Sequence, residues 1–331
     1  MDGVLIIDKP AGLTSHDVVA RVRSILRERR VGHTGTLDPF ATGVLAILVG
    51  RATRLAQFLS GAEKEYEAVI RLGYATDTGD LTGTQVEVAP GKTYELKDGT
   101  QSVAVWADSV KPELSFTDQQ IEAAMAPLRG EIDQVPPMYS AKKLQGRKLY
   151  ELARRGEEVE RKPVRVTILA FVATPGFQLL KENPDGSCDL KVRVVCSAGT
   201  YVRTLAEDFG KNLGVGAHLA ALRRTRAGSF LGRQSVTLDQ LQEKADDEAL
   251  APVLISPDAA LSNFPALELN PADVQRVQHG LAVRLLDKIG ADWGDGQNIR
   301  LRAMPGNLIA VGSFDKAGNL VRPRVVLGIE E

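Results

Sequence analysis

Gly32-His33-Thr34-Gly35-Thr36-Leu37-Asp38-Pro39-Phe40-Ala41-Thr42-Gly43 runs directly into the apolar stretch Val44 to Val49. No Gly-Lys-Ser/Thr follows, so this is not a Walker loop, and the glycines are not spaced as GxGxxG. Neither of the phosphate-cradling loops that open a parallel α/β sheet is therefore present. By pattern alone the segment is a glycine-punctuated loop in which Asp38 caps a helix and Pro39 takes its first position, before Ala41 to Leu48. A carboxylate fixed at such a turn is rigid and accessible, two properties that a nucleophile requires.

On the N-terminal side, Val4 to Ile7 reads as a short strand, and Asp8-Lys9-Pro10-Ala11-Gly12 is turn chemistry. Thr14 with Asp17 three residues on predicts a helix start. Val18, Val19, Val22, Ile25 and Leu26 then share one helical face, while Arg21, Arg23 and Arg27 project elsewhere. On the C-terminal side, Tyr66, Ala68, Ile70 and Leu72 alternate with mostly polar neighbours, as do Val164, Val166, Ile168 and Ala170. Both stretches are expected to be half-buried strands. Helical patterns occupy Thr117 to Leu128, Leu149 to Arg155, and Thr204 to Leu213.

Strands and helices are mixed without the regular alternation of a doubly wound sheet, so an α+β fold is expected. The stretch from Ala89 to Pro112 is polar and turn-rich and reads as a surface insertion. After Leu241 the sequence turns acidic and poor in strand formers, as a linker would be. Beyond it, Ile299 to Ala303, Leu308 to Phe314 and Leu320 to Leu327 predict a small β-rich domain, with a turn at Lys316 to Asn319.

The chain has 331 residues, with 41 Lys and Arg against 42 Asp and Glu, a net charge of −1 and 44% apolar residues. This is a soluble globular composition, long enough for two domains. The two cysteines, Cys188 and Cys196, lie in no CxxC or Cys/His cluster, so neither a disulfide scaffold nor a zinc module is expected. The N-terminal residues have no signal-peptide pattern and the apolar runs are too short to span a bilayer, which predicts a cytoplasmic protein.

The charge is unevenly placed. Residues 1–238 carry net +4 and residues 239–331 net −5, and the stretch 140–165 holds nine Lys/Arg against four Glu. Arg223, Arg224, Arg226 and Arg233 form a second basic cluster. Such runs are either solvated faces or phosphate-contacting surfaces.

The segment around Asp38 resembles the catalytic motif of pseudouridine synthases of the TruB family, which modify the T loop of tRNA. Further stretches are similar to the same family, collinearly and at similar spacings over residues 1 to about 240. They are Asp8-Lys9-Pro10-Ala11-Gly12-Leu13-Thr14-Ser15, Lys64-Glu65-Tyr66-Glu67-Ala68 with Arg71-Leu72-Gly73, and Thr76-Asp77-Thr78-Gly79-Asp80. Val135 to Lys143 with Gly146 and Tyr150, Ser197-Ala198-Gly199-Thr200-Tyr201-Val202-Arg203, and Gly216-Ala217-His218-Leu219 through Leu222-Arg223-Arg224 complete the set.

The resemblance implies a pseudouridine synthase fold over residues 1–240, with a mixed, largely antiparallel central sheet flanked by helices. It also implies an RNA-binding thumb at about 130–165, and a linker and small PUA-like domain over 241–331. The implied reaction isomerises uridine 55 in the T loop of tRNA by base flipping, an intramolecular transfer that needs no cofactor and no metal. The implied catalytic residues are Asp38, the family's aspartate, Arg203, its pairing arginine, and Tyr66, the tyrosine that stacks on the base and is a candidate to shuttle its proton. His33 is the implied plug for the vacated nucleotide, and Tyr201 and Leu222 line the uracil pocket. Lys9 and Asp80 are expected to support these groups from behind.

The implied partner is the tRNA T stem-loop, with no membrane and no obligatory protein partner. Two other readings stay open: a guide-RNA-dependent synthase of the related archaeal and eukaryotic type, and a tRNA-binding chaperone without catalysis.

Overall fold

The computed structural model describes all residues except 87–92, 95–102, 105–113, 141, 145, 154, 158, 175–179, 286–291, 305–306 and 329–331. The insertion expected at 89–112 lies almost wholly outside the described residues.

Ten strands form the main sheet: β1 (Gly3–Lys9), β2 (Val31–Thr34), β3 (Thr42–Val49), β4 (Lys64–Leu72), β5 (Gly130–Gln134), β6 (Val164–Ala173), β7 (Leu180–Glu182), β8 (Cys188–Cys196), β9 (Ala217–Ala227) and β10 (Phe230–Leu231). The path across the sheet is β1-β3-β9-β4-β8-β6-β5, with β2 also on β3, β7 on β8 and β10 on β9. Only the β3·β9 pairing is parallel, and it joins Thr42 to Arg223 and Gly43 to Arg224. This is the mixed, largely antiparallel sheet that the α+β reading requires.

β3 corrects one expectation. Ala41 to Leu48 does not continue a helix begun at Asp38, because Thr42–Val49 is a strand paired with β1 along its length. A continuous apolar run of this length fits a fully buried strand as well as a helix. What decides it here is packing: Val44 to Val49 are all buried, and their side chains fill two hydrophobic clusters on opposite faces of the sheet. Gly43 sets the entry. It has φ +98°, and a Cβ on it would lie 2.2 Å from the Arg224 carbonyl oxygen, so only glycine permits β3 and β9 to meet there.

The helices cover the sheet as their patterns require. α1 (Ser15–Leu26) starts at a capping box in which Thr14 and Asp17 satisfy each other's backbone amides, and Val18, Val19 and Val22 are its buried face. α2 (Asp118–Met125) has the same device in Thr117 and Gln120. α3 (Leu149–Ala153) follows, and α4 (Val202–Asn212) packs on β9. β4 alternates buried with half-buried or exposed positions along its length, and a bulge in β6 between Ile168 and Ala170 puts Phe171 in the core.

The acidic stretch read as a linker begins inside α5 (Leu238–Asp246), a capped helix that packs on α1. Leu250, Val253 and Leu254 still pack on the main core, and Ile255 bridges to Val4. The local charge misled the reading because Leu238 and Leu241 alone are enough to bury one face of a short helix.

A second sheet follows α6 (Pro257–Ala260). It contains β11 (Ala266–Glu268), β12 (Val283–Arg284), β13 (Asn298–Met304), β14 (Asn307–Asp315) and β15 (Leu320–Val326), in the order β11-β13-β14-β15-β12. α7 (Pro271–Gln278) lies against it. Ala52 and Leu55 share an apolar cluster with Leu308, Val311 and Val325, which holds this sheet to the first. Among the described residues no helix is long and apolar enough to cross a membrane.

Candidate active site

Asp38 is fixed at the turn between β2 and β3 by bonds on both sides of it. Leu37 and the Ser15 hydroxyl exchange two hydrogen bonds, of 2.9 and 3.2 Å, while Ala41 N–H donates to the Asp38 carbonyl at 3.1 Å. Gly12 N–H donates to the Pro39 carbonyl at 2.8 Å. Lys9 is fully buried, and its Nζ donates to the carbonyls of Pro10, Leu13 and Pro39. Three acceptors need three N–H donors, which only the ammonium supplies. Burial draws Lys9 down to a pKa of about 8, which still leaves it charged at pH 7.

The Asp38 carboxylate is partly open to solvent and meets Arg203, from the first turn of α4, in a two-pronged pair. Arg203 Nε lies 2.9 Å from Oδ2, and Nη2 donates to Oδ1 at 3.2 Å. The rest of the guanidinium is also engaged. Nη1 donates to the Thr78 carbonyl at 2.8 Å with Asp80 Oδ2 at 3.6 Å, and Nη2 also donates to the Tyr139 carbonyl at 2.6 Å. Asp80 is itself held by the Thr78 and Thr82 hydroxyls. Burial raises the Asp38 pKa above the ordinary carboxylate value, and the Asp80 charge pushes the same way, while Arg203 opposes both.

A cleft of about 270 Å³ opens beside this pair, lined by Tyr66, Tyr201, Leu222, Lys64 and Arg224 as well as by Asp38 and Arg203. Tyr66 reaches it from β4, where it sits between Val194 of β8 and Arg224 of β9. Burial raises the Tyr66 pKa, and the charge and hydrogen bond of Arg224 resist that rise.

The structure thus gathers five of the residues singled out from sequence: Asp38, Tyr66, Tyr201, Arg203 and Leu222. Asp80 and Lys9 reach the site through other groups, Asp80 through Arg203 and Lys9 through the carbonyl next to Asp38. His33 differs from expectation. It is not on a free glycine loop but on β2, paired with Ile47, and its ring meets His16 edge-on at 5.5 Å. It is not among the cleft-lining residues. Burial and the neighbouring His16 and Arg224 lower its pKa, which favours the neutral ring.

Arg224 is the residue that the charge count misassigned. Within the second basic cluster, Arg223 pairs with Asp8 at 2.8 Å and Arg226 with Glu65 at 3.2 Å, so neither is a free phosphate contact. Arg224 is 1% exposed, donating to the Val44 carbonyl at 2.7 Å and the Gly35 carbonyl at 3.0 Å. The period of two along β9 contained this signal, because of two successive arginines on a half-buried strand one must face inward. Arg224→Met is expected to leave both carbonyls unsatisfied and to lower stability by about 2–4 kcal/mol, as loss of two bonds to a charged group does. Thermal unfolding measures this, and an unchanged Tm would show that these bonds carry no net stability.

The cleft continues past Lys142 into an open basin of about 910 Å³ lined by Lys142, Arg147, Arg161 and Lys162 together with Glu157 and Glu160. This is the basic stretch singled out at 140–165. Arg165 is not among the residues that line it and pairs with Asp133 at 2.7 Å. Among the described residues no group of three or more His, Cys, Asp or Glu could hold a metal ion.

Comparison with known proteins follows the same lines. A family model described as TruB family pseudouridylate synthase (N terminal domain) matches residues 23–104 and 85–202. One described as tRNA pseudouridylate synthase B C-terminal domain matches residues 203–262. The chain is 46% identical over 280 residues to the tRNA pseudouridine synthase B of Thermobifida fusca, covering 84% of this chain and 85% of that one. It is 41% identical over 285 residues to the protein of the same name from Bacillus anthracis, covering 86% and 85%. In three dimensions it is similar to a chain in the crystal structure of a Cbf5-Nop10-Gar1 complex, with TM-score 0.67 and 26% identity over 99% of this chain and 84% of that one. A chain of an H/ACA RNP bound to a substrate RNA containing 2'-deoxyuridine has the same fold, with TM-score 0.66 and 24% identity over 98% and 84%.

Proposed function

The chain belongs to the TruB family of pseudouridine synthases, and from that membership and the cleft we propose that it isomerises uridine 55 in the T loop of tRNA. The reaction breaks the bond between ribose C1′ and uracil N1, turns the base and forms the bond from C1′ to C5. The C5 proton goes to solvent and N1 takes one up. The observation that carries the assignment of Asp38 is its two-pronged pair with Arg203 at the wall of a cleft of about 270 Å³.

Asp38 acts as an anion, whether as nucleophile or in drawing a proton from the ribose, and Arg203 favours that anion against burial. Tyr66 stacks on the base, and Tyr201 and Leu222 hold it. Flipping costs a few kcal/mol, and stacking on an aromatic ring returns about 1–3 kcal/mol. The basin at Lys142 and Arg147 supplies phosphate attraction for the T stem. His33, on its strand beside His16, fills the gap that the flipped nucleotide leaves. The substrate points to the cytoplasm. We propose further that the chain divides into a catalytic part and a PUA-like part built on the second sheet; the packing of residues up to 255 on the first core supports a boundary between there and β11 at Ala266.

Because the carboxylate is needed ionised and burial raises its pKa, activity should fall as pH drops through a value above the ordinary ~3.9 of aspartate. A pH profile of the single-turnover rate whose acid limb lies at or below that value would contradict this. The function itself is tested by incubating the purified chain with an unmodified tRNA transcript and no other component. Pseudouridine at position 55 is expected. Product only after a guide ribonucleoprotein is added would favour the guide-dependent reading, and tRNA binding without product would favour the chaperone.

A further inference from the structure

We propose that Ser140 is a substrate-binding residue whose hydroxyl hydrogen-bonds the polar edge of the flipped uracil, a role that rests on the cleft being the uridine site. Ser140 lies on the cleft wall with Tyr201, Asp38 and Arg203. It is 4% exposed, and its Oγ is buried without any hydrogen-bond partner. The Tyr201 phenol is close enough for Ser140 to offset part of the rise that burial causes in its pKa, yet the two do not meet in hydrogen-bonding geometry.

Two other hydroxyls of this wall, those of Ser197 and Thr200, are satisfied by the fold. Ser197 Oγ accepts from Thr167 N–H at 2.9 Å, and Thr200 Oγ1 donates to the Ser197 carbonyl at 3.0 Å. A buried hydroxyl with no partner costs free energy that alanine, of nearly the same size, does not. That cost is removed when a ligand enters.

The backbone that carries the hydroxyl is held in part by the catalytic arginine. Arg203 Nη2 holds the preceding Tyr139 carbonyl at 2.6 Å. Ser140 N–H donates to the Met138 carbonyl at 2.9 Å, and its own carbonyl accepts from Tyr150 N–H at 3.1 Å. The partner is a neutral base edge rather than a phosphate. Of the cations on this cleft, Arg203 is occupied by Asp38, Lys64 by the carbonyls of Ser60 and Ala62, and Arg224 by those of Val44 and Gly35, while Lys142 also lines the basin. Tyr201 with Leu222 makes the adjoining wall flat and apolar. A hydroxyl can both donate and accept, so it suits the mixed edge of uracil.

The test is Ser140→Ala in the full chain. Its Tm should equal or exceed that of the wild type, while kcat/KM on a tRNA transcript falls about tenfold, as loss of one such bond predicts. Affinity for a T-arm RNA with an abasic site at position 55 should not change, because the contact is absent there. Wild-type kcat/KM in the variant, an equal loss of affinity for the abasic arm, or a lowered Tm in step with the lost activity would each overturn the inference. If the wild type itself leaves tRNA unmodified, the function proposed above fails and this role with it. An active wild type beside an equally active variant sinks the Ser140 role alone.

Discussion

Asp38→Asn should bind tRNA as the wild type does and turn it over at least about 10⁴-fold more slowly, the scale expected when the group that makes or moves the reacting bond is lost. Asparagine has the shape of aspartate, so the turn held by Ser15, Gly12 and Lys9 remains in place. What it lacks is charge. It is no nucleophile, and it cannot draw a proton from the ribose, so both chemical routes stop. Among the described residues, the substitution also leaves Arg203 with Asp80, at 3.6 Å, as its remaining ion-pair partner. A small fall in Tm is therefore expected, from a buried cation that has lost its closer partner. Single-turnover kinetics with a separate binding measurement distinguish the two effects. Turnover within about tenfold of the wild type would remove Asp38 from the chemistry.

Arg203→Lys is expected to lower kcat by about 10²–10³-fold, or about 3–4 kcal/mol at 1.36 kcal/mol per decade. Arg203 meets Asp38 through two nitrogens while a third nitrogen and a second bond from Nη2 hold the carbonyls of Thr78 and Tyr139. A lysine ammonium is one point and cannot hold Asp38 by a fork while keeping both carbonyls. Its weaker hold on the carboxylate leaves burial less opposed, so the acid limb of the pH profile should move upward relative to the wild type. A wild-type rate, or a reduced rate with an unmoved limb, would show that Arg203 does not act through the ionisation of Asp38.

Some of this architecture was written in local sequence. The capping box of Thr14 and Asp17 needs only residues three apart, and the alternation from Tyr66 to Leu72 needs only neighbours, so α1 and β4 appear where they were expected. Three of the five strands of the second sheet, β13, β14 and β15, and the turn between the last two are legible for the same reason, whereas the short β11 and β12 are not. Ala41 to Leu48 was not, because a run buried on both faces carries no period, and its partners lie in β1 and β9, far away in sequence.

Arg224 was misread for a related reason. A charge count weights every arginine equally, whereas the strand turns Arg223 toward Asp8 and Arg224 into the core. The cleft itself was legible chiefly as a set of collinear motifs. Asp38, Tyr66 and Arg203 stand far apart in the chain, and only the closing of β2, β4 and α4 on one another makes a site of them. Ser140 had no signal of its own, since an orphaned hydroxyl is a property of packing. The net charge of −1 was equally silent, because it adds the net +4 of residues 1–238 to the net −5 of residues 239–331.

The central claim is that this chain, unaided, isomerises one uridine of tRNA, and release of tritium from C5-labelled uridine reads that directly. With purified protein and a tRNA transcript as the only components, the account predicts one tritium released per tRNA, and none from a transcript carrying cytidine at position 55. Undiminished release from the cytidine transcript, or no release from either, would contradict it.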